Sequence, residues 1–205
     1  MTEASLIEDR IAETGPGHAF TASDFSDLTS MRNAGNVLGR MHSKGRIERA
    51  LRGIYYVPEH SELLGSDVPA SVDEVVHAIA RANKWVIAPA GDAALNALGL
   101  DTQVPARHIY VSSGPYKSYE YGPYRIELRH RANRDLLDCS EITCTIIQAL
   151  KTLGRDRVGP DVVKSPANNL SADQVDAFED ESAGLTSWVA EFAKALWREK
   201  HGQDS

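Results

Sequence analysis

Apolar and polar positions follow a helical period through the N-terminal part of the chain and then change to a strand period. Leu6, Ile7 and Ile11 share one face of Ser5 to Glu13, opposite Glu8, Asp9 and Arg10, so the spacing predicts a supporting helix ended by Gly15-Pro16-Gly17. Thr21-Ala22-Ser23-Asp24 has the form of a capping box and predicts a short helix running to Leu28, with Phe25 and Leu28 inward. Thr29-Ser30 is a second polar pair able to cap a helix. In the helix that follows, Ala34, Val37, Leu38 and Met41 fall at i, i+3, i+4 and i+7, while Ser30, Arg32, Asn33, Asn36 and Arg40 lie on the opposite face. Lys44-Gly45 suits a helix C-terminus, because glycine tolerates the left-handed conformation found there. Arg46 to Arg49 and Ile54 to Val57 then read as two short strands joined by a tight turn containing Gly53. A helix pair followed by a two-stranded wing predicts a winged helix-turn-helix over residues 1–60.

The segment from His60 to Ser71 is rich in Ser, Pro and Gly and has no period, which marks a domain boundary and starts a second domain over residues 68–205. Within that domain Ser71 caps a predicted helix to Asn83. Trp85 to Ala88 reads as a strand, Gly91 to Leu98 as a helix ending at Gly99, and Ile109 to Ser112 and Tyr124 to Leu128 as strands. Between the last two lies a predicted aromatic loop, Gly114 to Gly122. Glu141 to Leu153 is a clear helix. Beyond a loop around Gly159-Pro160 come two more predicted helices, Ser171 to Asp180 and Thr186 to Lys200. Strands and helices interleave without a repeat. The predicted fold class is α+β, an N-terminal winged helix-turn-helix followed by a small mixed α/β domain with C-terminal helices.

Charge changes this picture by locating a function. The 205 residues are 42% hydrophobic and 25% charged with a net charge of -7, which spread evenly would argue against a nucleic-acid partner. The charge is segregated. From Thr29 to Pro58 six Arg and Lys residues face the single acid Glu48, whereas residues 59–205 hold 15 basic and 22 acidic residues. Winged helices lay the second helix of the pair in the major groove of duplex DNA. Arg32, Asn33 and Asn36, with Ser30 at the helix start, are therefore the candidates to meet base edges, since Arg pairs bidentately with guanine and Asn with adenine. Arg40, Lys44, Arg46, Arg49 and Arg52 are candidates for phosphate contacts, which add affinity and salt dependence.

Other residues point less sharply. Tyr116, Tyr119 and Tyr121 suit a base-stacking or partner-anchoring loop, or equally a connection folded back on its sheet. Arg125, Arg129, Arg131 and Arg134 form a second basic run whose alternate members share a strand face, suited to an acidic partner or nucleic acid, or to pairing with local carboxylates. Cys139 and Cys144 are too few for a disulfide framework and are expected as reduced, partly buried thiols. Histidines are scattered, and neither a phosphate-binding glycine loop nor a nucleophile elbow is present, so no cofactor, metal or catalytic residue is expected and the chain is not expected to be an enzyme. A divalent-cation site at Asp135, Asp138 and Glu141, serving nucleic-acid processing, is the competing idea; a carboxylate at a helix start is also explained by the helix dipole. No apolar run is long enough to span a bilayer and the N-terminus is acidic, unlike a signal peptide, so a cytoplasmic location is expected.

The runs FTASDFSDL, VLGRMHSKGRIERALRGIYYVP and IAPAGDAALNALGLDTQVPARHIYVSSG together resemble the AbiEi-like antitoxins of type IV toxin-antitoxin systems, over approximately residues 5–155. The resemblance implies a winged helix that binds double-stranded DNA at inverted repeats upstream of its own operon and represses it. It also implies a second domain that counteracts a nucleotidyltransferase-type toxin, without a stable complex between the two proteins. Carried onto this chain, the DNA role falls on Arg32, Asn33, Asn36, Arg40, Arg49 and Arg52; no residue is assigned to the antitoxin role. The alternative is a stand-alone winged-helix transcriptional regulator whose α/β domain serves sensing or dimerisation.

Overall fold

A computed structural model describes residues 2–63, 65–103, 105–131 and 139–202. The protein is α+β, with eight α-helices and three small sheets among the described residues. It divides into two compact units, Met1–Trp85 and Val86–Ser205.

The first unit opens with α1 (Glu3–Thr14), capped by the Thr2 hydroxyl and buried through Ile7 and Ile11 as their spacing requires. Its end is followed by β1 (Ala19–Thr21), three fully buried residues that no alternation announces. The Thr21 capping box is present: the Thr21 amide donates to Asp24 Oδ2 at 2.7 Å and the Ser23 amide to Thr21 Oγ1 at 3.3 Å. The helix it opens is a single 3-10 turn, Ala22–Phe25, and not a longer helix to Leu28. α2 (Met31–Ser43) buries Ala34, Val37, Leu38 and Met41. Gly35 and Gly39 cost about 1 kcal/mol each in a helix interior, and burial of Val37, Leu38 and Met41 at about 1.5–3 kcal/mol each outweighs them. The helix stops at Lys44, and Gly45 follows at φ +69, as its position predicts.

β2 (Glu48–Leu51) and β3 (Ile54–Tyr56) form the expected hairpin, with a register shift between Arg49 and Leu51. β3 is central: β1 pairs antiparallel on its other edge, giving the order β1-β3-β2. Ile7, Phe20, Phe25, Leu38 and Ile47 meet in the core between these elements.

The segment read as a linker contains a second hairpin, β4 (Glu59–Ser61) paired with β5 (Ser66–Val68). α3 (Val72–Asn83), capped by Ser71, belongs to the first unit. Arg81 donates to the Ala19 carbonyl at 2.6 Å and to Asp24 Oδ1 at 3.1 Å, and Glu74 Oε2 accepts the Ala19 amide at 3.1 Å. These bonds tie α3 to β1, so the division falls after Trp85, where the sequence reading set it between residues 60 and 68.

In the second unit, β6 (Ile87–Ala90), β7 (Arg107–Ser112), β8 (Lys117–Tyr121) and β9 (Tyr124–His130) form one sheet in the order β6-β7-β9-β8. β6 and β7 are antiparallel, β7 and β9 parallel, and β8 and β9 a hairpin. Pro89 is tolerated because β6 is an edge strand. The expected aromatic loop is thus largely strand: Tyr119 and Tyr121 lie in β8, with Tyr121 8% exposed, and only Tyr116 precedes it. The helices are α4 (Asp92–Ala97), α5 (Glu141–Leu153), α6 (Pro160–Asn169), α7 (Ala172–Ser182) and α8 (Ser187–Gly202). α6 occupies the segment expected to be a loop. Its first residue is Pro160, where the missing amide costs nothing, and burial of Val163 and Ala167 offsets the ~3 kcal/mol of interior Pro166. Leu98, Ile146, Leu150, Phe178, Phe192 and Leu196 form the helical core.

Candidate nucleic-acid interface

Six of the nine candidate side chains in the first unit are exposed with no side-chain hydrogen bond or ion pair among the described residues, and three are engaged. Arg32, Asn36 and Arg40 recur every fourth residue on the exposed face of α2, which is the period that aligns side chains along a helix. Gly35 and Gly39 lie on that face as well. A Cβ built on either meets nothing within 4 Å, so packing inside the chain does not require these glycines. Lys44, Arg49 and Arg52 are exposed at the end of α2, on β2 and in the turn of the hairpin.

The remaining candidates are engaged. Ser30 is the N-cap of α2, its hydroxyl accepting the Asn33 amide at 3.3 Å. Asn33 Nδ2 donates to Glu3 Oε2 at 2.6 Å and to Thr29 Oγ1 at 3.1 Å, which fixes the start of α2 against α1. Arg46 pairs with Glu8 at 2.8 Å. Glu48, the acid within the basic stretch, accepts the Tyr56 hydroxyl at 2.7 Å. Glu3 was not legible as a partner, since nothing local ties residue 3 to residue 33.

Arg125 and Arg129 of the second basic run are drawn, with Arg107, around one carboxylate, while Arg131 donates to the His130 carbonyl at 3.2 Å. Glu127, only 7% exposed, receives Arg107 at 2.5 Å, Arg125 at 3.2 Å and Arg129 at 3.2 Å. Hydrogen bonding to Arg107, then to Arg129, holds the Glu127 carboxyl below its usual range against the upward push of burial. Arg107 was missed in the sequence, being 20 residues from the carboxylate it binds. Arg134, Asp135 and Asp138 lie outside the described residues. Glu141 is the first residue of α5 behind the Ser140 cap, a position the helix dipole favours for an acid. Among the described residues no group of three His, Cys, Asp or Glu side chains is arranged to hold a metal ion.

Cys139 and Cys144 are free thiols whose sulfurs face each other at 2.6 Å, Cys139 partly and Cys144 fully buried. Burial and the neighbouring Cys139 thiol push Cys144 upward, away from thiolate. No described helix is long and apolar enough to cross a membrane.

Residues 6–173 match a family described as a family of unknown function, DUF6088. The chain belongs to DUF6088. The matched span takes in all of the candidate interface on α2 and the hairpin, the sheet of the second unit, and the helices through α6. No curated protein matches the chain.

Proposed function

We propose that this DUF6088 protein is a DNA-binding regulator whose first unit acts as a winged helix-turn-helix, with α2 as the groove-entering helix and β2–β3 as the wing. The observation that carries the reading is the exposed face of α2: Arg32, Asn36 and Arg40 alternate there with two glycines that the chain's own packing does not need. Glycines at such positions leave room for the helix backbone to approach a phosphate chain. The exposed cations of the helix end and hairpin extend the same positive region.

In this reading Arg32 and Asn36 are the base-reading pair, since Asn33 is held by Glu3 and Ser30 is a cap. Arg40, Lys44, Arg49 and Arg52 supply phosphate contacts; Arg46 does so only by leaving Glu8. The protein binds inverted repeats upstream of its own operon and represses it. The resemblance to AbiEi-like antitoxins supports the second half of the proposal, that the second unit counteracts a nucleotidyltransferase-type toxin encoded beside it.

Titrating the full chain into its own upstream duplex at several salt concentrations tests the first half. Arg52→Ala is expected to reduce the slope of log affinity against log salt by about 0.9, one phosphate contact. Asn36→Ala is expected to alter sequence preference, with a cost of about 1–3 kcal/mol on the cognate site alone. Equal affinity for random DNA overturns specific repression. Co-expression with the neighbouring gene product tests the second half: unrelieved growth arrest removes the antitoxin role and leaves the repressor.

A further inference from the structure

The sheet of the second unit has one face that changes character halfway across. Strand registers place Arg107 beside Arg125, Ile109 beside Glu127 and Val111 beside Arg129, and Ser118 and Glu120 beside Glu127 and Arg125. Side chains alternate along a strand, so these residues share a face. Over β6 and β7 that face is apolar, and Ala88, Ala90 and Val111 pack with Cys144 of α5. Over β9 and β8 it becomes the Glu127 cluster.

Three guanidiniums on one carboxylate exceed what is needed to satisfy a buried acid. Glu127 offsets one of the three charges and Glu120, opposite Arg125, a second, which leaves one uncompensated. The face keeps a positive excess in a protein whose net charge is -7. The Arg107 and Arg125 side chains remain 54% and 57% exposed even while Glu127 holds them, so they are ordered yet open to an incoming anion. Beside them lies a depression of about 220 Å³ lined by Tyr116, Lys117, Ser118, Arg125 and Glu127, with the Tyr116 ring 66% exposed.

An ordered guanidinium pair next to an exposed ring matches the two parts of a nucleotide: a phosphate and a base with a π-face. A small molecule is enclosed by its site over most of its surface, and a depression floored by half-exposed side chains does not enclose one. A duplex keeps its bases stacked and offers none to Tyr116, whereas a single strand presents both groups in succession.

We infer that this face of β8 and β9 binds single-stranded nucleic acid, with phosphates on Arg107 and Arg125 and a base stacked on Tyr116. The site is independent of duplex binding by the first unit. Glu127 is the positioning residue that holds the guanidiniums in place.

The test is fluorescence anisotropy of the full chain carrying Arg32→Ala, Asn36→Ala, Arg40→Ala and Arg52→Ala together with Arg49→Ala and Lys44→Ala, an α2-hairpin background that removes the proposed duplex contacts, against a labelled oligouridylate and oligothymidylate. Tyr116→Ala is expected to weaken binding roughly tenfold without changing the salt slope, and Tyr116→Phe to retain it. Arg125→Gln is expected to weaken binding and lower the slope by about 0.7. Thermal melting checks the fold of each variant; the Tyr116 ring is exposed, so its removal leaves no cavity. Unchanged affinity in both Tyr116→Ala and Arg125→Gln overturns the site. Loss of all binding in the α2-hairpin background also overturns it, because the strand then binds through the first unit. Free uridine monophosphate competing as well as the oligomer replaces a strand with a mononucleotide and overturns the assignment of a strand.

Discussion

At the scale of single residues, the two kinds of position that matter most here differ in how far their partners lie along the chain. The α2 face is local: Arg32, Gly35, Asn36, Gly39 and Arg40 can be placed on one side of a helix by counting. Because Gly35 and Gly39 have open space around their Cβ positions, Gly35→Ala and Gly39→Ala are each expected to stabilise the protein by about 1 kcal/mol. The same changes are expected to weaken binding to the upstream duplex, since a methyl group then stands between helix and phosphate. A raised melting temperature with unchanged affinity excludes close backbone approach. Glu127 is the opposite case, decided by residues on two strands. Its folded carboxyl lies below the ordinary value of 4.5, so its stabilising contribution is complete above that pH and is lost as pH falls through the lower folded value. Acid titration of thermal stability is expected to show this limb in the parent and to lose it in Glu127→Gln.

At the scale of elements, those with a strong internal period were legible and those defined by a partner were not. α2, α3 and α5 show buried stripes and Ser caps in the sequence, and the structure places them within a residue or two of expectation. β1 is a run of three buried residues with no alternation, made a strand only by pairing with β3. β8 alternates from Ser118 onward, with Ser118 and Glu120 exposed, Tyr119 half-buried and Tyr121 buried, but the flanking glycines and tyrosines suggested a loop. α6 was hidden by its two prolines. It is held by contacts from far along the chain: Ser165 Oγ donates to the Gly99 carbonyl at 2.6 Å and Asn169 Nδ2 to the Leu98 carbonyl at 3.2 Å. Gly99 sits at φ +67, and a Cβ there would lie 2.1 Å from Asn169 Nδ2. Gly99→Ala is therefore expected to destabilise the protein by about 1–3 kcal/mol through backbone strain, with more from the displaced amide. Gly45→Asn, at a positive φ with nothing within 4 Å, is expected to be nearly neutral, since Asn tolerates that conformation. Urea midpoints of the two variants separate these effects.

At the scale of the whole molecule, the assignment of α3 is the main revision. Composition put a boundary at the Ser, Pro and Gly residues between 60 and 71, yet that segment holds the β4–β5 hairpin, and α3 beyond it is bonded to β1 through Glu74 and Arg81. A fragment of residues 1–85 is expected to melt cooperatively, whereas 1–60, which lacks Arg81 and Glu74, leaves the Ala19 backbone groups without those partners and is expected to be rapidly proteolysed. Equal protease resistance of the two fragments would show that α3 is dispensable to the first unit. What the sequence determined by itself was the class of fold, the amphipathic helices with their caps, and the segregation of positive charge onto Thr29 to Pro58. Each of these follows from neighbours within a turn or two, or from counting charges. Only the tertiary structure decided that Asn33 and Arg46 are held by α1, that α3 belongs to the first unit, and that Arg107, Arg125 and Arg129 converge on one buried carboxylate. The reason is physical: hydrogen bonds and ion pairs depend on distance in space, and residues 3 and 33, 19 and 81, or 107 and 127 become neighbours only when the chain folds.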